Sequence, residues 1–462
     1  MPPTMTEALR AIVGAEFVRT DAASREAYGA DALKRGSPPD VVVLPANTQQ
    51  ISAIARWCHE TRTPLVPRGG GTGYTGGSVP VRGGVVLSLE RLNRILEIDE
   101  GNLLAIVEPN VVTGDLQDAV ERVGLFYPPD PASLRMSVIG GNVAENAGGP
   151  RAFKYGVTGK YVLGTEAVLT TGEIIRTGGK SVKNVVGYDL TQLLVGSEGT
   201  LAILTQIILR LIPRPPVQAT VRATFPSVTH AVDAVGRLIR ARVIPAALEL
   251  VDADSLEAVA GYLQTRTLAP AGTGAILLIE VDGLSELVAG EATRVEEACR
   301  GAGATEVRRA HDDAEREDLW RVRRELSYSL KMITPLKFNH DVVVPKARVP
   351  DLFRLVDDLK ARFRLRIPCF GHAGDGNIHV NVMVTPGDDD EMRRARAAEE
   401  ALFKGVVALE GSITGEHGIG FAKAKYLGLE LTPETIALMK RIKLAFDPRG
   451  ILNPGKVFPD EV

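Results

Sequence analysis

The stretch Pro67-Arg-Gly-Gly-Gly-Thr-Gly-Tyr-Thr-Gly-Gly-Ser78 decides how the fold of this chain is interpreted, because glycine and hydroxyl residues dominate it. It satisfies the pattern Gly-x-Gly-x-x-Gly from Gly71 to Gly76, but a dinucleotide-fold fingerprint must open a helix directly after a strand. Here the glycines run on towards another strand-like segment at 85–89, which argues against that fold. Consecutive backbone N–H groups that no side chain obstructs can instead form a concave anion site. We therefore interpret residues 69–78 as a pyrophosphate-binding loop, with a flexible surface loop as the alternative.

Two further stretches share this bias towards small residues. One is Ser137-Val-Ile-Gly-Gly-Asn-Val-Ala-Glu-Asn-Ala-Gly-Gly149, and the other is Gly187-Tyr-Asp-Leu-Thr-Gln-Leu-Leu-Val-Gly-Ser-Glu-Gly-Thr200. Each of them alone is compatible with a tight packing turn. Three such stretches in one domain favour a large, extended cofactor that lies against the backbone.

The composition is that of an ordinary globular protein, with 462 residues, 45% hydrophobic and 24% charged, and this length predicts two or three domains. A net charge of -3, mixed along the chain, provides no electrostatic footprint for nucleic acid. The three cysteines are an odd, widely spaced set, which argues against a disulfide framework and indicates a reducing compartment. No apolar run is long enough to span a bilayer and the N-terminus lacks a signal pattern, so we expect a cytoplasmic protein, with membrane association through a partner left open.

The order of predicted elements indicates an α+β chain. A strand at 41–44 precedes a helix that Asn47 or Thr48 can cap, and Thr113 is expected to cap a second helix. Pro213-Arg-Pro-Pro216 breaks the pattern and marks a domain boundary. Beyond it the pattern predicts a second α+β domain, with helices near 228–242 and 284–302 and strands near 275–281 and 340–344.

The segment His372-Ala-Gly-Asp-Gly-Asn-Ile-His-Val-Asn381 predicts a β-hairpin, because Asp-Gly between strand-like residues is a strong hairpin signal. With Asp375-Gly376 as a two-residue turn, His372 faces His379, and directly opposed residues hold their Cβ atoms about 4.5–5.5 Å apart. Two imidazoles at that separation can bind one metal ion, and Asn381 points to the same face. A surface hairpin with incidental polar residues is the alternative.

Five segments together resemble the FAD-binding signatures of the vanillyl-alcohol-oxidase/PCMH flavoprotein superfamily: Pro67–Ser78, Gly140–Gly149, Gly187–Asp189, Gly196–Thr200 and Asn453–Lys456. Within that superfamily the chain resembles the branch that holds the glycolate oxidase D subunit, D-lactate dehydrogenase and D-2-hydroxyglutarate dehydrogenase. The resemblance implies an α+β protein with a PCMH-type FAD-binding domain of two α+β subdomains at 1–215. It also implies a cap domain with an antiparallel sheet and helices at 216–410, and a C-terminal segment at 411–462 that returns to the FAD domain and active site.

By motif, the resemblance assigns the first loop to the pyrophosphate, the second stretch to the flavin or its ribityl chain, and Asn453 to the isoalloxazine region. Glu198, Gly199 and Ile203 would flank the adenine. The complete set of residues expected to bind FAD is Arg68, Gly69, Gly70, Gly71, Thr72, Gly73, Gly76, Gly77, Ser78, Pro129, Ser137, Gly140, Gly141, Asn142, Asn146, Gly149, Tyr155, Gly156, Glu198, Gly199, Ile203 and Asn453. Some relatives attach FAD covalently through a histidine in the first loop, and because this loop has none, non-covalent FAD is expected.

The resemblance also implies a metal site. His372 and His379 match the metal pair of the family and Glu416 matches its third ligand. Two imidazoles and one carboxylate favour Zn²⁺, with Mn²⁺, Fe²⁺ and Co²⁺ left open. His417, beside the third ligand, is the expected general base. An exposed turn is the alternative for Glu416-His417 taken alone.

Three further residues complete the expected catalytic set. Arg323 lies in a segment similar to the W-x-x-R motif of the family and would clamp the substrate carboxylate through two parallel hydrogen bonds, with a solvated helix arginine as the alternative. Lys337 would supply a second charge, although its spacing departs from that of the D-2-hydroxyglutarate enzymes and weakens the case for a dicarboxylate. Asn381 would orient the carboxylate or the hydroxyl of the substrate.

We therefore expect FAD- and metal-dependent oxidation of a small D-2-hydroxy acid, glycolate or D-lactate ahead of D-2-hydroxyglutarate. An FAD-carrying subunit of a multi-subunit glycolate oxidase, inactive alone, and a redox-silent flavin-binding protein are the alternatives. The cysteines form no Fe–S pattern, so electrons would leave the flavin for a separate electron-transfer protein, a quinone, oxygen or partner subunits. A homodimer is left open.

Overall fold

The computed structural model describes residues 4–264, 270 and 272–459, and the chain divides into two compact units. The first unit comprises the chain up to Gly148, Val157–Arg214, and the chain from Glu416 onwards. The second unit comprises Gly149–Gly156 and Pro215–Gly415. Helices and strands occur in both units, which confirms the predicted α+β class.

The elements are numbered here in chain order. The strands are β1 Val18–Arg19, β2 Val41–Val43, β3 Leu65–Arg68, β4 Val85–Ser88, β5 Ile95–Asp99, β6 Leu104–Val107, β7 Leu125–Phe126, β8 Val162–Val168, β9 Ile174–Gly178, β10 Ile203–Arg210, β11 Ile212–Pro213, β12 Val217–Phe225, β13 Ala247–Asp252, β14 Ala275–Gly283, β15 Glu306–Arg309, β16 Leu336–Val343, β17 Cys369–His372 and β18 Asn377–Val384. The helices are α1 Met5–Val13, α2 Ala22–Tyr28, α3 Thr48–Thr61, α4 Thr113–Glu121, α5 Ile139–Glu145, α6 Ala152–Tyr155, α7 Leu190–Leu194, α8 Val228–Arg240, α9 Ala253–Leu263, α10 Ser285–Gly301, α11 Asp313–Ile333, α12 Val349–Phe363, α13 Asp389–Ala408, α14 Leu427–Glu430 and α15 Pro433–Phe446. Short 3-10 turns lie at Ala15–Phe17, Thr158–Tyr161, Lys346–Arg348 and Ala424–Tyr426.

The first unit contains a four-stranded sheet in the order β1-β2-β4-β3 and a five-stranded antiparallel sheet in the order β5-β6-β10-β8-β9. β2 and β3 each pair in parallel with β4. The glycine-rich loop therefore connects two neighbouring parallel strands and opens no helix, which confirms that the Gly71–Gly76 pattern is not a dinucleotide fingerprint. Ile51, Ile54 and Cys58 of α3 are buried in the core of this unit.

Two helix starts test the capping predictions. Asn47 caps α3, where its side chain accepts the Gln50 N–H at 2.9 Å. Thr113 does not cap α4, because it is the first helical residue and Val112 precedes it as the cap. The Thr113 hydroxyl instead accepts a hydrogen bond from Asn142 at 2.7 Å. The prediction for Thr113 is wrong because a buried partner competes for the hydroxyl that a cap would need.

The second unit is built on a seven-stranded sheet in the order β15-β12-β14-β13-β17-β18-β16. Every neighbouring pair in it is antiparallel. α9 and α11 pack on one face, where Phe370 and Met383 of the strands join Leu326 and Leu330 of α11 in an apolar cluster. α8 and α10 pack against β12 and β14, and α13 packs against β16 and β18. The predicted antiparallel sheet with helices is confirmed.

Candidate active site

The first glycine loop lies against the start of the second small-residue stretch, where a Cβ on Gly69 would come within 2.6 Å of Val138 Cγ2. A Cβ on Gly70 would come within 2.7 Å of the Met136 carbonyl oxygen, so a side chain does not fit there without a shift of backbone. For a Cβ on Gly73, the nearest protein atom would be a carboxylate oxygen of Asp31 at 3.9 Å. Protein packing thus explains why residue 70 is a glycine, while Gly73 leaves room for a group that lies against the backbone. This cradle fits the anionic part of a dinucleotide cofactor.

The third small-residue stretch and the C-terminal turn meet at the same loop. The Asn453 side-chain amide donates to the carbonyl oxygens of Gly77 at 2.8 Å and Glu198 at 2.9 Å. The buried Glu198 carboxylate accepts the backbone N–H groups of Ile419 at 2.7 Å and Gly420 at 2.6 Å. Burial raises the pKa of Glu198, and these hydrogen bonds oppose that rise. The structure therefore brings together three of the segments that carry the predicted FAD residues.

Charged side chains surround this loop. Arg68 donates to Ser78 Oγ at 3.1 Å. Lys456 donates to Asn453 Oδ1 at 3.1 Å, and burial lowers the pKa of Lys456 to about 8. Asp31 is buried nearby, and burial raises its pKa to about 6. Two cations beside a glycine-rich loop suit a pyrophosphate.

Several residues that were predicted to bind the cofactor form hydrogen bonds or packing contacts within the protein. Asn142 donates to a buried threonine hydroxyl at 2.7 Å, and Ser137 Oγ lies 3.1 Å from the same oxygen. Asn146 takes a positive φ of 52° and accepts a backbone N–H at 2.8 Å. The Pro129 carbonyl accepts a glutamine amide at 2.8 Å, and Ile203 lies in the hydrophobic core. These five residues shape the walls of the loop region, and their contact with FAD stays a prediction.

His417 and Glu416 lie along the loops of the first unit. The Thr75 hydroxyl donates to the His417 carbonyl oxygen at 3.0 Å, and the ring centroids of Tyr74 and His417 are 5.2 Å apart. A Cβ on Gly148 would be 3.1 Å from Glu416 Oε2. His417 is thus placed beside the first glycine loop, and Glu416 beside the end of the second stretch.

In the second unit, the predicted hairpin forms in a different register. A four-residue turn at 373–376 joins β17 to β18, so His372 pairs with Asn377 rather than with His379. The two-residue turn is wrong because Asp375 closes its own turn: its Oδ1 accepts the Asn377 N–H at 3.2 Å. The His372 carbonyl oxygen also accepts the Gly376 N–H at 3.1 Å.

The two histidines still share a face of the sheet, because side chains two residues apart on a strand point the same way. Their ring centroids are 5.5 Å apart and both side chains are buried. The register of the neighbouring strands places three more buried polar residues on this face, Glu249, Asp341 and Asn381. We call these three side chains, together with His372 and His379, the polar sheet face.

Glu249 is the centre of the polar sheet face. It is fully buried, its Oε1 lies 2.5 Å from His372 Nδ1, and its Oε2 accepts Arg323 Nε from α11. Burial would raise the pKa of Glu249, but the charges of Arg323 and His372 outweigh it and lower the pKa to about 2. Because an ionised carboxylate only accepts hydrogen bonds, His372 donates from Nδ1, and in the neutral form of the ring its Nε2 carries the lone pair that a metal ion requires.

This donor set fits a divalent metal ion. Metal-binding histidines characteristically donate their second ring N–H to a carboxylate, which fixes the tautomer and the ring orientation. His372 shows that arrangement with Glu249, and His379 lies beside it. Imidazole pairs of this kind suit Zn²⁺ and several other first-row metals.

The two remaining predicted substrate residues differ in their surroundings. Asn381 is fully buried, and its amide nitrogen donates to the carbonyl oxygens of His379 at 3.2 Å and Pro368 at 3.3 Å. Its Oδ1 accepts no hydrogen bond from the described residues. Lys337 Nζ donates to the Ser327 hydroxyl at 2.9 Å and carbonyl oxygen at 3.1 Å, and burial lowers the pKa of Lys337 to about 7.

Asp341 connects the polar sheet face to the segment that carries Glu416. It is fully buried and its Oδ2 accepts the Gly415 N–H at 2.8 Å. Gly415 is the last residue of the second unit, so Glu416 follows by one peptide bond, with its Cα about 3.8 Å further on.

Three residues that the resemblance assigns to FAD lie in the second unit, namely Gly149, Tyr155 and Gly156. The Tyr155 hydroxyl donates to Asp282 at 2.7 Å, and Lys154 forms an ion pair with the same carboxylate. The structure therefore ties this segment to β14, and its contact with the cofactor stays a prediction.

Sequence patterns do not identify Glu249 or Asp341 as site residues. Glu249 is an acid inside the otherwise largely apolar strand Ala247–Asp252. Asp341 lies in the apolar, buried end of the strand Leu336–Val343, whose first half is more polar. A buried charge is costly unless it is paired, so an acid in such a strand signals a buried partner. The signal does not name the partner, because the partner comes from a distant part of the chain.

Comparison with known proteins identifies the family. The chain matches "FAD linked oxidases, C-terminal domain" over residues 214–457 and "FAD binding domain" over residues 39–178. It is 44% identical over 453 residues to glycolate oxidase subunit GlcD of Bacillus subtilis, across 98% of this chain and 96% of that protein. It is 38% identical over 419 residues to a D-lactate dehydrogenase of Archaeoglobus fulgidus, across 90% and 91% of the two chains.

A solved structure of p-cresol methylhydroxylase with substrate bound has a similar fold, with a TM-score of 0.80, 19% identity, and coverage of 98% of this chain and 96% of that one. This likeness concerns the fold alone and confirms the predicted PCMH-type architecture. Within the part of the chain that the structure describes, no helix combines the length and the apolar character needed to cross a bilayer. On the strength of the two family matches and the close relatives, the chain belongs to the FAD-linked oxidase family and is an FAD-dependent oxidoreductase.

Proposed function

We propose that this protein oxidises a small D-2-hydroxy acid to the 2-oxo acid, with glycolate or D-lactate favoured, and passes the electrons to non-covalent FAD. The observation that carries the proposal is on the polar sheet face, where the Glu249 carboxylate forms hydrogen bonds with both His372, a proposed metal ligand, and Arg323. An anion clamp close to a metal-binding pair suits a substrate whose carboxylate is next to a hydroxyl-bearing carbon. Two relatives named for glycolate and D-lactate support the same substrate class.

The metal centre of the proposal consists of His372, His379 and Glu416. The first two are close together on the polar sheet face. Glu416 is the next residue after Gly415, whose N–H is held by the buried Asp341. Zn²⁺ is favoured by this donor set, with Mn²⁺, Fe²⁺ and Co²⁺ as alternatives.

Each catalytic residue then has a defined task. Arg323 has its Nε on Glu249, which leaves its two terminal nitrogens to bind the substrate carboxylate through parallel hydrogen bonds. Asn381 orients the carboxylate or the hydroxyl of the substrate, and His417 accepts the hydroxyl proton as the carbon is oxidised. When bound, FAD accepts the electron pair and the metal ion acts as a Lewis acid that lowers the pKa of the hydroxyl.

One observation favours D-2-hydroxyglutarate as a second candidate substrate. Lys337 pairs with no carboxylate among the described residues, and its Nζ donates only to the neutral Ser327. A second substrate carboxylate would provide Lys337 with the charged partner that it lacks.

A different class of function is that of an FAD-carrying subunit that is inactive alone. This candidate is supported by the relative of Bacillus subtilis, which is named a subunit of glycolate oxidase. In either case the electrons leave the flavin for a separate electron-transfer protein, a quinone or partner subunits.

Anaerobic flavin reduction tests these candidates. The FAD-loaded protein is mixed with 2-hydroxy acids of both hands, and loss of the flavin absorbance is recorded, because a single turnover needs no external acceptor. We expect reduction by glycolate or D-lactate and not by L-lactate. Reduction by D-2-hydroxyglutarate alone would favour the second candidate, and reduction by none of them would leave the inactive subunit and the redox-silent flavin-binding protein.

Metal removal tests the metal centre in the same assay. Chelation, verified by metal analysis, is expected to abolish flavin reduction while FAD stays bound, and added Zn²⁺, Mn²⁺, Fe²⁺ or Co²⁺ should restore it. A full rate in verified metal-free protein would defeat the metal assignment and leave the flavin chemistry standing.

A further inference from the structure

We propose that Glu249 is the positioning residue that holds His372 in the tautomer able to bind a metal ion. The inference rests on the proposed function, because it concerns the metal centre of that proposal. It adds a residue that neither the motifs nor the family resemblance point to, and it explains why that residue must be a carboxylate.

Glu249 lies between two hydrogen-bond partners, His372 and Arg323. It pairs with His372 across β13 and β17, on the same face of the sheet, and none of it is exposed. Its Oε1 lies 2.5 Å from His372 Nδ1, and its Oε2 accepts Arg323 Nε. Both carboxylate oxygens are therefore engaged, each by a different residue.

The chemistry of the two partners restricts what can stand between them. Arginine can only donate hydrogen bonds. His372 must also donate from Nδ1 if its Nε2 is to carry a lone pair for a metal ion. The residue between them must therefore accept on both sides, and an ionised carboxylate is the side chain that offers two acceptor oxygens and no donor.

Glutamine at this position reverses the arrangement while keeping the size of the side chain. Its one amide oxygen has to face Arg323, which cannot accept, and its NH₂ group then faces His372. Nδ1 is forced to accept, and the proton moves to Nε2, the atom that a metal ion would use. The substitution therefore acts on the metal site through a proton position rather than through loss of packing.

Glu280 provides a matched control on the neighbouring strand β14. It is also buried, and it lies on the same face of the sheet as Glu249, one strand away. Both of its hydrogen bonds fall on one oxygen, Oε2, which accepts from Thr220 at 3.0 Å and from Trp320 at 2.9 Å. A glutamine can keep both of them with its single amide oxygen, so Glu280→Gln removes a buried charge without reversing a donor.

Metal titration of the full-length, FAD-loaded protein tests the proposal. Wild type, Glu249→Gln and Glu280→Gln are stripped of metal and titrated with Zn²⁺ against a chromophoric chelator, with FAD content and thermal unfolding measured on the same samples. We expect the Kd for Zn²⁺ to rise about 10–100-fold in Glu249→Gln, the usual range for loss of a partner of a metal-binding histidine, and to stay at the wild-type value in Glu280→Gln. Wild-type affinity in Glu249→Gln, or an equal loss in Glu280→Gln, would overturn the inference.

A second measurement on the wild-type protein decides the matter even where Glu249→Gln does not fold. The ¹⁵N resonances of the histidine rings are recorded in the metal-free protein, and His372 is assigned by its loss in His372→Asn. At a pH where the ring is neutral, we expect the tautomer protonated at Nδ1, and a neutral ring protonated at Nε2 would overturn the inference. A wild-type protein that binds no Zn²⁺ would defeat the metal centre of the proposed function, and the tautomer of His372 would then decide this inference by itself.

Discussion

The two units use opposite means to present polar groups. In the first unit, glycines leave the backbone of the loop uncovered by side chains. Side chains such as Asn142 and Asn453 form hydrogen bonds between one segment and another. In the second unit, the polar sheet face buries charged side chains against one another, with Glu249 between Arg323 and His372. A site built from backbone is encoded by short stretches of sequence, whereas a site built from opposed side chains depends on which strands lie next to each other.

The largest expected effect comes from removing an imidazole of the polar sheet face. We expect His379→Ala to slow flavin reduction by more than ~100-fold, because a proposed metal ligand is lost. FAD content should stay at the wild-type level, because the predicted pyrophosphate cradle belongs to the first unit. Stopped-flow absorbance and the ratio of FAD to protein measure the two quantities.

His230→Ala is the control for this variant, because His230 is an exposed residue of α8 in the same unit. It should change neither quantity. If His379→Ala lost FAD in proportion to its rate, the proposed separation of FAD binding from the imidazoles of the polar sheet face would be wrong.

A pair of glycine substitutions in the first unit tests which glycines serve protein packing and which leave space for the cofactor. Gly70→Ala places a Cβ 2.7 Å from the Met136 carbonyl oxygen, so we expect the apoprotein to lose about 1–3 kcal/mol of stability. Gly73→Ala meets no protein atom closer than 3.9 Å, so the apoprotein should keep its stability or gain up to about 1 kcal/mol. The free energy of unfolding of the two apoproteins in denaturant provides the measurement.

The same pair should behave differently towards FAD. Gly73→Ala is expected to weaken FAD binding about tenfold, a cost of about 1.4 kcal/mol, because its Cβ occupies space that the cofactor would use. Fluorescence titration of the apoprotein with FAD measures this Kd. An unchanged Kd in Gly73→Ala would show that this glycine does not line the cradle.

The first unit was largely predictable because its signals are local. Asn47 caps α3 and accepts an N–H from Gln50, three residues away. The bias of Pro67–Ser78 towards glycine predicts exposed backbone without any knowledge of the rest of the chain. Thr113 is the exception, since Asn142 takes its hydroxyl from 29 residues away.

The second unit resisted prediction for the same physical reason. Glu249 meets His372 across 123 residues and Arg323 across 74. These meetings follow from the strand order β13-β17-β18, which no local pattern encodes. The hairpin is an intermediate case. Its turn residues are local, and they predicted correctly that His372 and His379 share a face. The register was not predictable, because the Asp375 side chain stabilises a four-residue turn instead of a two-residue turn.

A substrate comparison tests whether Lys337 binds the second carboxylate of a dicarboxylate substrate. If D-2-hydroxyglutarate is a substrate, Lys337→Met should lower its kcat/KM about 10–100-fold, the range expected for a lost charge-assisted hydrogen bond. The kcat/KM for glycolate should change by less than about threefold, because glycolate has no second carboxylate. An equal loss for both substrates would assign Lys337 to the shape of the unit rather than to recognition of the second carboxylate.

The smallest expected effect is a pH dependence of stability that Lys337 imposes on the second unit. Burial lowers the pKa of this lysine from 10.5 to about 7, so between these values the unfolded chain binds the proton more tightly than the folded chain does. Stability therefore rises with pH through this window, and the full penalty is present below about pH 7. Lys337→Met removes this penalty, which is about 4 kcal/mol near pH 7, but it also loses the two hydrogen bonds to Ser327, which offsets about 2–3 kcal/mol. The variant should therefore stabilise the metal-free apoprotein by roughly 1–2 kcal/mol near pH 7 and by progressively less as the pH approaches 10. Denaturant unfolding across that range measures the difference, with Lys404→Met, an exposed lysine of α13, as the control that should show no such trend. A constant difference between Lys337→Met and wild type at every pH would mean that lost packing, and not the buried charge, sets the cost of this side chain.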